Sequence, residues 1–177
     1  MKTHLLKTPE LESAALLALT HHSGMMYGDA PYTDHLYEVL KEVSELRPED
    51  NEMQVAALLH DAVEDTTLGL EAIWTRYGDR VTNLIDAVTS CRGSRNDRHK
   101  FMIRSLQKYP DAIPLKLADR VCNVRNCWES KNTLLFAYHR EYRDMRTELM
   151  PISGPECAKV WQELDNMLGW WSGNKPT

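Results

Sequence analysis

The chain has 177 residues, a length that favours one domain (residues 1–177) with a sizeable hydrophobic core. Its net charge of −5 argues against general nucleic-acid binding, and no apolar run approaches the roughly 20 residues of a membrane span. The four cysteines contain no CxxC pair, which favours reduced thiols. We therefore expect a cytoplasmic globular protein that binds neither membranes nor nucleic acids.

The spacing of apolar residues is helical along almost the whole chain, and no segment alternates as a strand would. Thr8 before Pro9 is a helix start signal, and Asn51 or Asp50 is the expected N-cap of the third helix, whereas Pro48 and Gly78 are stop signals. Residues 91–100 are polar and contain a glycine, which predicts a loop, and residues 169–177 are expected to fray. The predicted helices span residues 9–22, 31–47, 51–66, 69–77, 79–89, 101–109, 114–130, 133–150 and 156–168. The fold class that follows is all-α, a helical bundle.

Residues 60–65 concentrate an imidazole and three carboxyl groups in the third predicted helix. Residues four positions apart share a helix face, so Glu64 is expected below His60 and Asp65 below Asp61. Three carboxylates this close repel one another unless a cation or a proton relieves them. The apolar residues before them predict burial, which limits screening by solvent. A bound metal ion is the simplest explanation of the cluster.

Two further residues complete a candidate ligand set, His35 on the second predicted helix and Asp119 on a later buried helix. Together with His60 and Asp61 they offer two imidazoles and two carboxylates. This mixed set suits Mn²⁺, Fe²⁺ or Mg²⁺ in a roughly octahedral site with open positions. Zinc more often uses cysteine or a three-ligand tetrahedral set, so we rank it lower.

An ion with open positions polarises a phosphoryl oxygen and lowers the pKa of water. Glu64 or Asp65, one turn after the ligands, is placed to take the proton of that water or to orient it. Asn123 follows Asp119 by one helical turn and can hydrogen-bond the water or a substrate oxygen. The chemistry that these residues predict is metal-assisted hydrolysis of a phosphate ester or pyrophosphate.

The order of His35, His60-Asp61 and Asp119 resembles the HD metal-dependent phosphohydrolase superfamily. Residues 31–35 (PYTDH), 57–66 (ALLHDAVEDT) and 116–125 (KLADRVCNVR) more narrowly resemble the hydrolase domain of RelA/SpoT alarmone enzymes and their small stand-alone relatives of the metazoan type. The similarity covers about residues 16–126. It implies an HD-domain bundle in which the four residues bind one ion, Mn²⁺ first, and in which Glu64 and Asp65 are the catalytic acids.

The resemblance also implies a nucleotide substrate and the residues that contact it. We expect Asn123 to contact the nucleotide or the attacking water, and Tyr27 to stack on a base. Further substrate contacts are expected from residues in or beside the matching segments, namely Tyr32, Lys116 and Arg125. Residues 23–29 hold no arginine or lysine, so the basic run at residues 92–100, most simply a solvated loop, is the remaining candidate to gather phosphates.

The first choice of function is a (p)ppGpp 3′-pyrophosphohydrolase, which releases pyrophosphate. A rival on the same scaffold is a phosphohydrolase of NADPH or of a nucleoside phosphate, which releases orthophosphate. A rival of another class is a nucleotide sensor without turnover, against which the presence of Glu64 and Asp65 argues. Homo-oligomerisation and the choice of Mn²⁺ over Fe²⁺, Mg²⁺ or Zn²⁺ are left open.

Overall fold

The computed structural model describes residues 3–169, and helices account for most of them. The α-helices are α1 (Pro9–His21), α2 (Tyr32–Leu46), α3 (Asn51–Leu59), α4 (Ala62–Asp65), α5 (Leu70–Val88), α6 (Arg95–Lys108), α7 (Ile113–Glu129), α8 (Leu134–Leu149) and α9 (Ala158–Leu168). Short 3-10 helices span Thr3–Leu5, Pro110–Ala112, Met150–Ile152 and Pro155–Cys157. The all-α prediction is confirmed. The tail that was expected to fray lies, apart from Gly169, outside the described residues.

The helix ends use the side chains that the sequence indicated. Thr8 Oγ1 accepts a hydrogen bond from the amide of Leu11 at 3.3 Å, and Asp50 Oδ1 accepts one from the amide of Met53 at 3.1 Å. Both bonds satisfy amides that have no partner inside their own helix. Gly78 interrupts α5 with φ 80° and ψ −174°, a backbone conformation that residues with a Cβ rarely adopt. The predicted break at this glycine is confirmed.

Helix α3 lies at the centre of the bundle. Residues 53–59 are all buried, so the helix is surrounded by protein on every side. It packs against α1, α2 and α5, while α7 packs against α2, α8 and α9. The one polar side chain of this run, Gln54, donates hydrogen bonds to the carbonyls of Arg47 and Pro48. The C-terminal end of α3 therefore opens between α2 and α7, and residues from these three elements meet there.

The predicted single helix across residues 51–66 is wrong. Helix α3 ends before His60 and α4 begins after Asp61, and the amide of Glu64 bonds the Asp61 carbonyl at 3.1 Å in a tighter turn. Asp61 does not cap α4, because its carboxylate accepts a hydrogen bond from the Tyr32 hydroxyl instead. This break turns Glu64 away from the position below His60 that a continuous helix would give it.

The loop predicted for residues 91–100 is shorter than expected. Helix α6 begins at Arg95, and the hydroxyl oxygen of Ser94 accepts a hydrogen bond from the amide of Asp97 at 3.2 Å. This N-cap stabilises the start of a helix that the polar composition of residues 91–100 did not indicate. The basic side chains of the run from Arg95 onward are therefore carried by a helix and keep a fixed register with one another, whereas Arg92 precedes it.

Two short strands, β1 (Met26–Tyr27) and β2 (Ala30–Pro31), form a hairpin where no strand was expected. Gly28 enters the two-residue turn with φ 61°, as tight hairpins require. Strands of two residues are too short to show alternation in a sequence. The hairpin leads directly into α2, which starts at Tyr32 rather than at Pro31.

None of the helices within residues 3–169 is long and apolar enough to cross a membrane.

Candidate metal centre

Three segments bring the four predicted ligands together. Nε2 of His35, on α2, lies 3.7 Å from Asp61 Oδ2 and 3.5 Å from Asp119 Oδ1. Nε2 of His60, in the turn after α3, lies 3.0 Å and 3.7 Å from the same two oxygens. Ligand atoms of His35, His60 and Asp61 all lie within 4.8 Å of one another. Asp119, on α7, presents its carboxylate to both imidazoles and closes the cluster.

The hydrogen bonding of His60 fits a metal ligand. Its Nδ1 lies 2.9 Å from the carbonyl oxygen of Ala57, which can only accept, so Nδ1 carries the proton. In the neutral ring Nε2 then keeps a lone pair, and this atom is buried without a hydrogen-bond partner among residues 3–169. Both His35 and His60 are only 2% exposed. A divalent ion would satisfy such an orphaned nitrogen, and a carbonyl behind the ring is the usual support of a metal-bound histidine.

The charges of the cluster favour a cation. Burial opposes a positive charge on His60, yet Asp61 and Asp119 outweigh it and raise the pKa of this imidazole to about 10, so the two carboxylates draw either a proton or a metal cation to Nε2. Burial likewise opposes ionisation of Asp61, but the neighbouring His60 lowers the pKa of its carboxyl to about 2. Lys116 and the two histidines hold the pKa of Asp119 well below its ordinary value against the same cost of burial. Both carboxylates are therefore ionised at neutral pH.

Two predicted substrate contacts hold Asp119 in place. Lys116 Nζ donates to Asp119 Oδ2 at 2.8 Å, and the side-chain amide of Asn123 donates to Asp119 Oδ1 and, at 3.1 Å, to its backbone carbonyl. Asp119 Oδ1 still faces the imidazoles. Contact of Lys116 or Asn123 with a substrate stays a prediction, since each already serves the cluster.

Asp65 is joined to the cluster through Tyr32. The Tyr32 hydroxyl lies 2.7 Å from Asp61 Oδ2 and 2.9 Å from Asp65 Oδ2. Burial raises the pKa of Asp65, the Tyr32 hydrogen bond opposes this, and the charges of Asp61 and Glu64 add to it. Asp65 is thus a carboxylate beside the candidate metal site with an enhanced affinity for a proton.

Glu64 points to a different neighbourhood. Its Oε2 accepts a hydrogen bond from the amide of Ser90 at 3.0 Å, and its Oε1 lies 3.9 Å from Nη1 of Arg98. These contacts direct it toward the segment between α5 and α6. The two predicted catalytic acids therefore diverge, although they are adjacent in sequence.

Aromatic rings cover the side of the cluster next to the hairpin. Tyr27 stacks on His35 with ring centroids 4.6 Å apart, and its hydroxyl donates to Asn123 Oδ1 at 2.5 Å. Tyr32 meets both Tyr27 and His35 edge-on, with centroids 5.8 Å apart in each case. Burial is the main cause that raises the pKa of both phenols, so they remain neutral hydrogen-bond donors.

His22 packs behind these aromatic rings, although no pattern in the sequence indicated that it belongs to the site. Its ring stacks on Tyr32 at 5.0 Å with an interplanar angle of 6°, and it is 1% exposed. Nδ1 lies 3.0 Å from the carbonyl oxygen of Ala18, which orients the ring. A histidine at a helix end carries no local signal of such packing, because its neighbour Tyr32 belongs to the next helix.

A cavity of about 540 Å³ opens beside the hairpin, and we call it the amide cavity. Its lining residues are Tyr27, Gly28, Asp29, Ala30, Asn123, Asn126, Cys127, Ser130, Asn132 and Leu134. The lining is polar but mostly uncharged, with Asp29 as its ionisable acid. It suits a neutral group that offers hydrogen bonds and a flat face.

A second cavity, of about 130 Å³, lies on the Glu64 side, and we call it the basic cavity. Its lining residues are Ser90, Arg95, Arg98, His99, Met102, Lys116, Arg120 and Glu141. Lys116, which donates to Asp119, connects it to the candidate metal site, and Ser90, which donates to Glu64, connects it to one of the two predicted catalytic acids. Part of the predicted basic run therefore adjoins the cluster, together with Arg120, which the sequence suggested as a structural partner of its acids, and Glu141, which the sequence did not connect with it.

Arg125 is directed elsewhere. Its Nη1 donates to Glu42 Oε1 at 2.5 Å, and its Nε and Nη2 donate to the two carboxylate oxygens of Glu163 at 2.6 and 2.7 Å. These ion pairs join α7 to α2 and α9. They give Arg125 a bundle-stabilising position, and its predicted substrate contact is not supported by this pairing.

Comparison with known proteins gives concordant matches. The family model described as HD domain matches residues 13–171. A guanosine-3′,5′-bis(diphosphate) 3′-pyrophosphohydrolase of Aquifex aeolicus is 31% identical over 147 residues, covering 80% of this chain and 19% of the relative. The enzyme of the same name, MESH1, of Drosophila melanogaster is 33% identical over 101 residues, covering 55% of this chain and 56% of the relative. The chain thus spans less than two thirds of these relatives.

Solved structures show the same fold. A metazoan orthologue of SpoT, described as hydrolysing ppGpp, superposes with a TM-score of 0.77 at 22% identity and covers 93% of this chain and 97% of that chain. A protein of Listeria monocytogenes superposes with a TM-score of 0.68 at 21% identity over 81% of this chain. At these identities the likeness establishes the helical architecture.

Proposed function

The chain belongs to the HD-domain family, and on this premise we propose that it is a metal-dependent hydrolase that removes the 3′-pyrophosphate of (p)ppGpp. The observation that carries the proposal is the convergence of His35, His60, Asp61 and Asp119 beside Asp65 and the basic cavity. The relatives named for this reaction supply the substrate class. The cytoplasmic location and self-assembly stay predictions from the sequence.

The ion in this proposal is Mn²⁺, held by the two imidazole nitrogens and the carboxylates of Asp61 and Asp119. When bound, such an ion supplies a Lewis acid for a phosphoryl oxygen and increases the acidity of a water molecule. The chain contributes a ligand set prepared in advance. The Ala57 carbonyl orients His60, while Lys116 and Asn123 orient Asp119.

We assign the general base to Asp65 rather than to Glu64. Asp65 is next to the ligands through the shared Tyr32 hydroxyl, and its raised pKa makes it a better acceptor of the proton of an attacking water. Glu64 is already engaged by the Ser90 amide. We assign it the role of positioning the segment between α5 and α6, whose side chains line the basic cavity.

The two cavities orient the substrate in this proposal. Phosphate groups belong on the side of Arg95, Arg98 and Lys116, because guanidinium and ammonium groups bind phosphate by charge-assisted hydrogen bonds. The nucleoside belongs in the amide cavity, where Asn126 and Asn132 offer donors and acceptors without charge. The scissile phosphoryl bond then lies between them, over the candidate metal site.

The test is to incubate the Mn²⁺-loaded protein with ppGpp, GTP, dGTP and NADPH, and to assay pyrophosphate and orthophosphate separately. We expect pyrophosphate from ppGpp, abolished by a chelator and by His60→Ala. The matched control is Asp165→Asn, which removes a carboxylate that pairs with Arg146 and Tyr142 on α8. Turnover that survives both the chelator and His60→Ala would contradict the proposal. Orthophosphate from NADPH without pyrophosphate from ppGpp would favour the rival phosphatase.

A further inference from the structure

Glu141, on α8, occupies the arginines of the basic cavity. Its Oε1 accepts a hydrogen bond from Arg95 Nε at 2.5 Å, and its Oε2 accepts one from Arg95 Nη2 at 3.2 Å. Arg120 Nη1 donates to the same Oε2 at 3.0 Å. One carboxylate therefore engages guanidinium groups from two other helices. The Glu141 side chain is 12% exposed and that of Arg120 is 9% exposed, so solvent screens this pair weakly, whereas Arg95 is 37% exposed and its pair is screened more.

The two arginines are held by a second feature, the ring of Tyr138. The guanidinium carbon of Arg95 lies 5.1 Å from the ring centroid, and that of Arg120 lies 4.5 Å from it. These are distances of cation–π contact. Because the ring supports both guanidinium groups independently of Glu141, they would keep their positions if the carboxylate lost its charge.

The cavity retains donors that Glu141 does not use. His99 is 8% exposed, and neither of its ring nitrogens has a hydrogen-bond partner among the described residues. Arg98 lies beside it and is 3.9 Å from its nearest carboxylate. A buried imidazole with unpaired nitrogens next to a guanidinium indicates that the cavity accepts an anionic ligand.

We propose that Glu141 is a specificity-determining residue that competes with phosphate anions for Arg95 and Arg120. The competition lowers the affinity of the basic cavity for highly charged anions such as inorganic pyrophosphate, and so allows such a product to leave. The inference rests on the proposed function, which supplies the anion. The physical reason is that an internal carboxylate must be displaced, or tolerated at short range, before a phosphate can bind the same donors.

The test is the affinity of Glu141→Gln for inorganic pyrophosphate and for orthophosphate. Calorimetric titration is carried out with a chelator present, so that an ion at His60 cannot contribute. We expect pyrophosphate to bind about tenfold more tightly than to the unmodified protein, and orthophosphate to gain less, because the effect scales with ligand charge. Asp165→Asn, which also removes a carboxylate from an arginine of α8, is expected to change neither affinity.

Two further variants keep the test decisive. Arg95→Gln combined with Glu141→Gln restores the charge balance and is expected to abolish the gain. If Glu141→Gln does not fold, as judged by thermal unfolding, Glu141→Asp retains the charge but is too short to span both arginines, and a smaller gain is expected. Unchanged or weaker pyrophosphate binding by folded Glu141→Gln, or by Glu141→Asp where that variant replaces it, would overturn the inference. Because no turnover is measured, this result is independent of whether ppGpp is hydrolysed.

Discussion

The two sides of the candidate metal site differ in charge. The basic cavity is lined by three arginines and a lysine against one carboxylate, whereas the amide cavity is lined by three asparagines, a serine and one aspartate. Both adjoin the same cluster, one through Lys116 and the other through Tyr27 and Asn123. A nucleotide has the same asymmetry, since its phosphates are charged and its nucleoside is not. Under the proposed function, this difference in charge assigns each end of the substrate to one side.

The two acids follow this division. Asp65 contacts Tyr32, whose ring meets Tyr27 of the amide cavity, and Glu64 contacts Ser90 and faces Arg98, both of which line the basic cavity. One turn of helix thus directs Asp65 and Glu64 to different sides.

The largest effect on activity is expected from a change in the candidate metal site, where the two sides meet. His60→Ala should lower kcat/KM by about 1,000-fold or more for every substrate, because the ion contributes several kcal/mol of charge stabilisation. Kinetics together with the metal content of the purified variant by atomic absorption measure this. Asp165→Asn should retain full activity and metal. A His60→Ala protein that binds Mn²⁺ and turns over normally would show that the two sides do not share a metal centre at His60.

Asp65→Asn should lower kcat by about 100- to 10,000-fold, the usual contribution of a general base. Glu64→Gln should have a smaller effect, mainly on KM. The base acts when ionised, so kcat/KM of the unmodified protein should fall as the pH drops through the raised pKa of Asp65. This acidic limb should be missing from the residual activity of Asp65→Asn. Equal losses of kcat in the two variants would contradict the assignment of the general base to Asp65 and of a positioning role to Glu64.

Arg98→Gln should raise KM for ppGpp by about tenfold, since a hydrogen bond to a charged group is worth about 1.5–3 kcal/mol and this one is partly exposed. Lys100→Gln is the matched control, because it removes the same charge from the same helix at a position that does not line the basic cavity. Steady-state kinetics at two salt concentrations measure both. If the two variants weakened ppGpp equally, net charge rather than the basic cavity would explain the effect.

The smallest effect is expected from Tyr27→Phe, which removes one neutral hydrogen bond to Asn123 and keeps the ring on His35. A loss of about 0.5–1.5 kcal/mol corresponds to a two- to tenfold lower kcat/KM. Tyr27→Ala should cost more, because it also uncovers His35. Kinetics and thermal unfolding of both variants separate the hydroxyl from the ring. Identical behaviour of the two would show that the ring contributes nothing.

Local signals in the sequence predicted most of the helices and the residues of the cluster. Thr8 and Asp50 cap their helices through bonds to residues three positions away, and Gly78 breaks α5 through its own backbone freedom. Such signals are local, so they can be recognised without knowing the fold. His35, His60, Asp61 and Asp119 were recognisable because their flanking segments resemble a family, and the structure brings them together.

The division of the site into a basic cavity and an amide cavity depends on tertiary contacts. Tyr27 and Asn123 are 96 positions apart, and Arg95 and Glu141 are 46 apart, so no local pattern joins them. The hydrogen bond that Asp61, in the break after α3, accepts from Tyr32 on α2 likewise joins segments that are distant in the sequence. Charge and hydrogen bonding between distant segments depend on which faces the bundle brings into contact. The sequence named the candidate metal ligands, and packing decided which acid faces the basic cavity and which faces the aromatic rings.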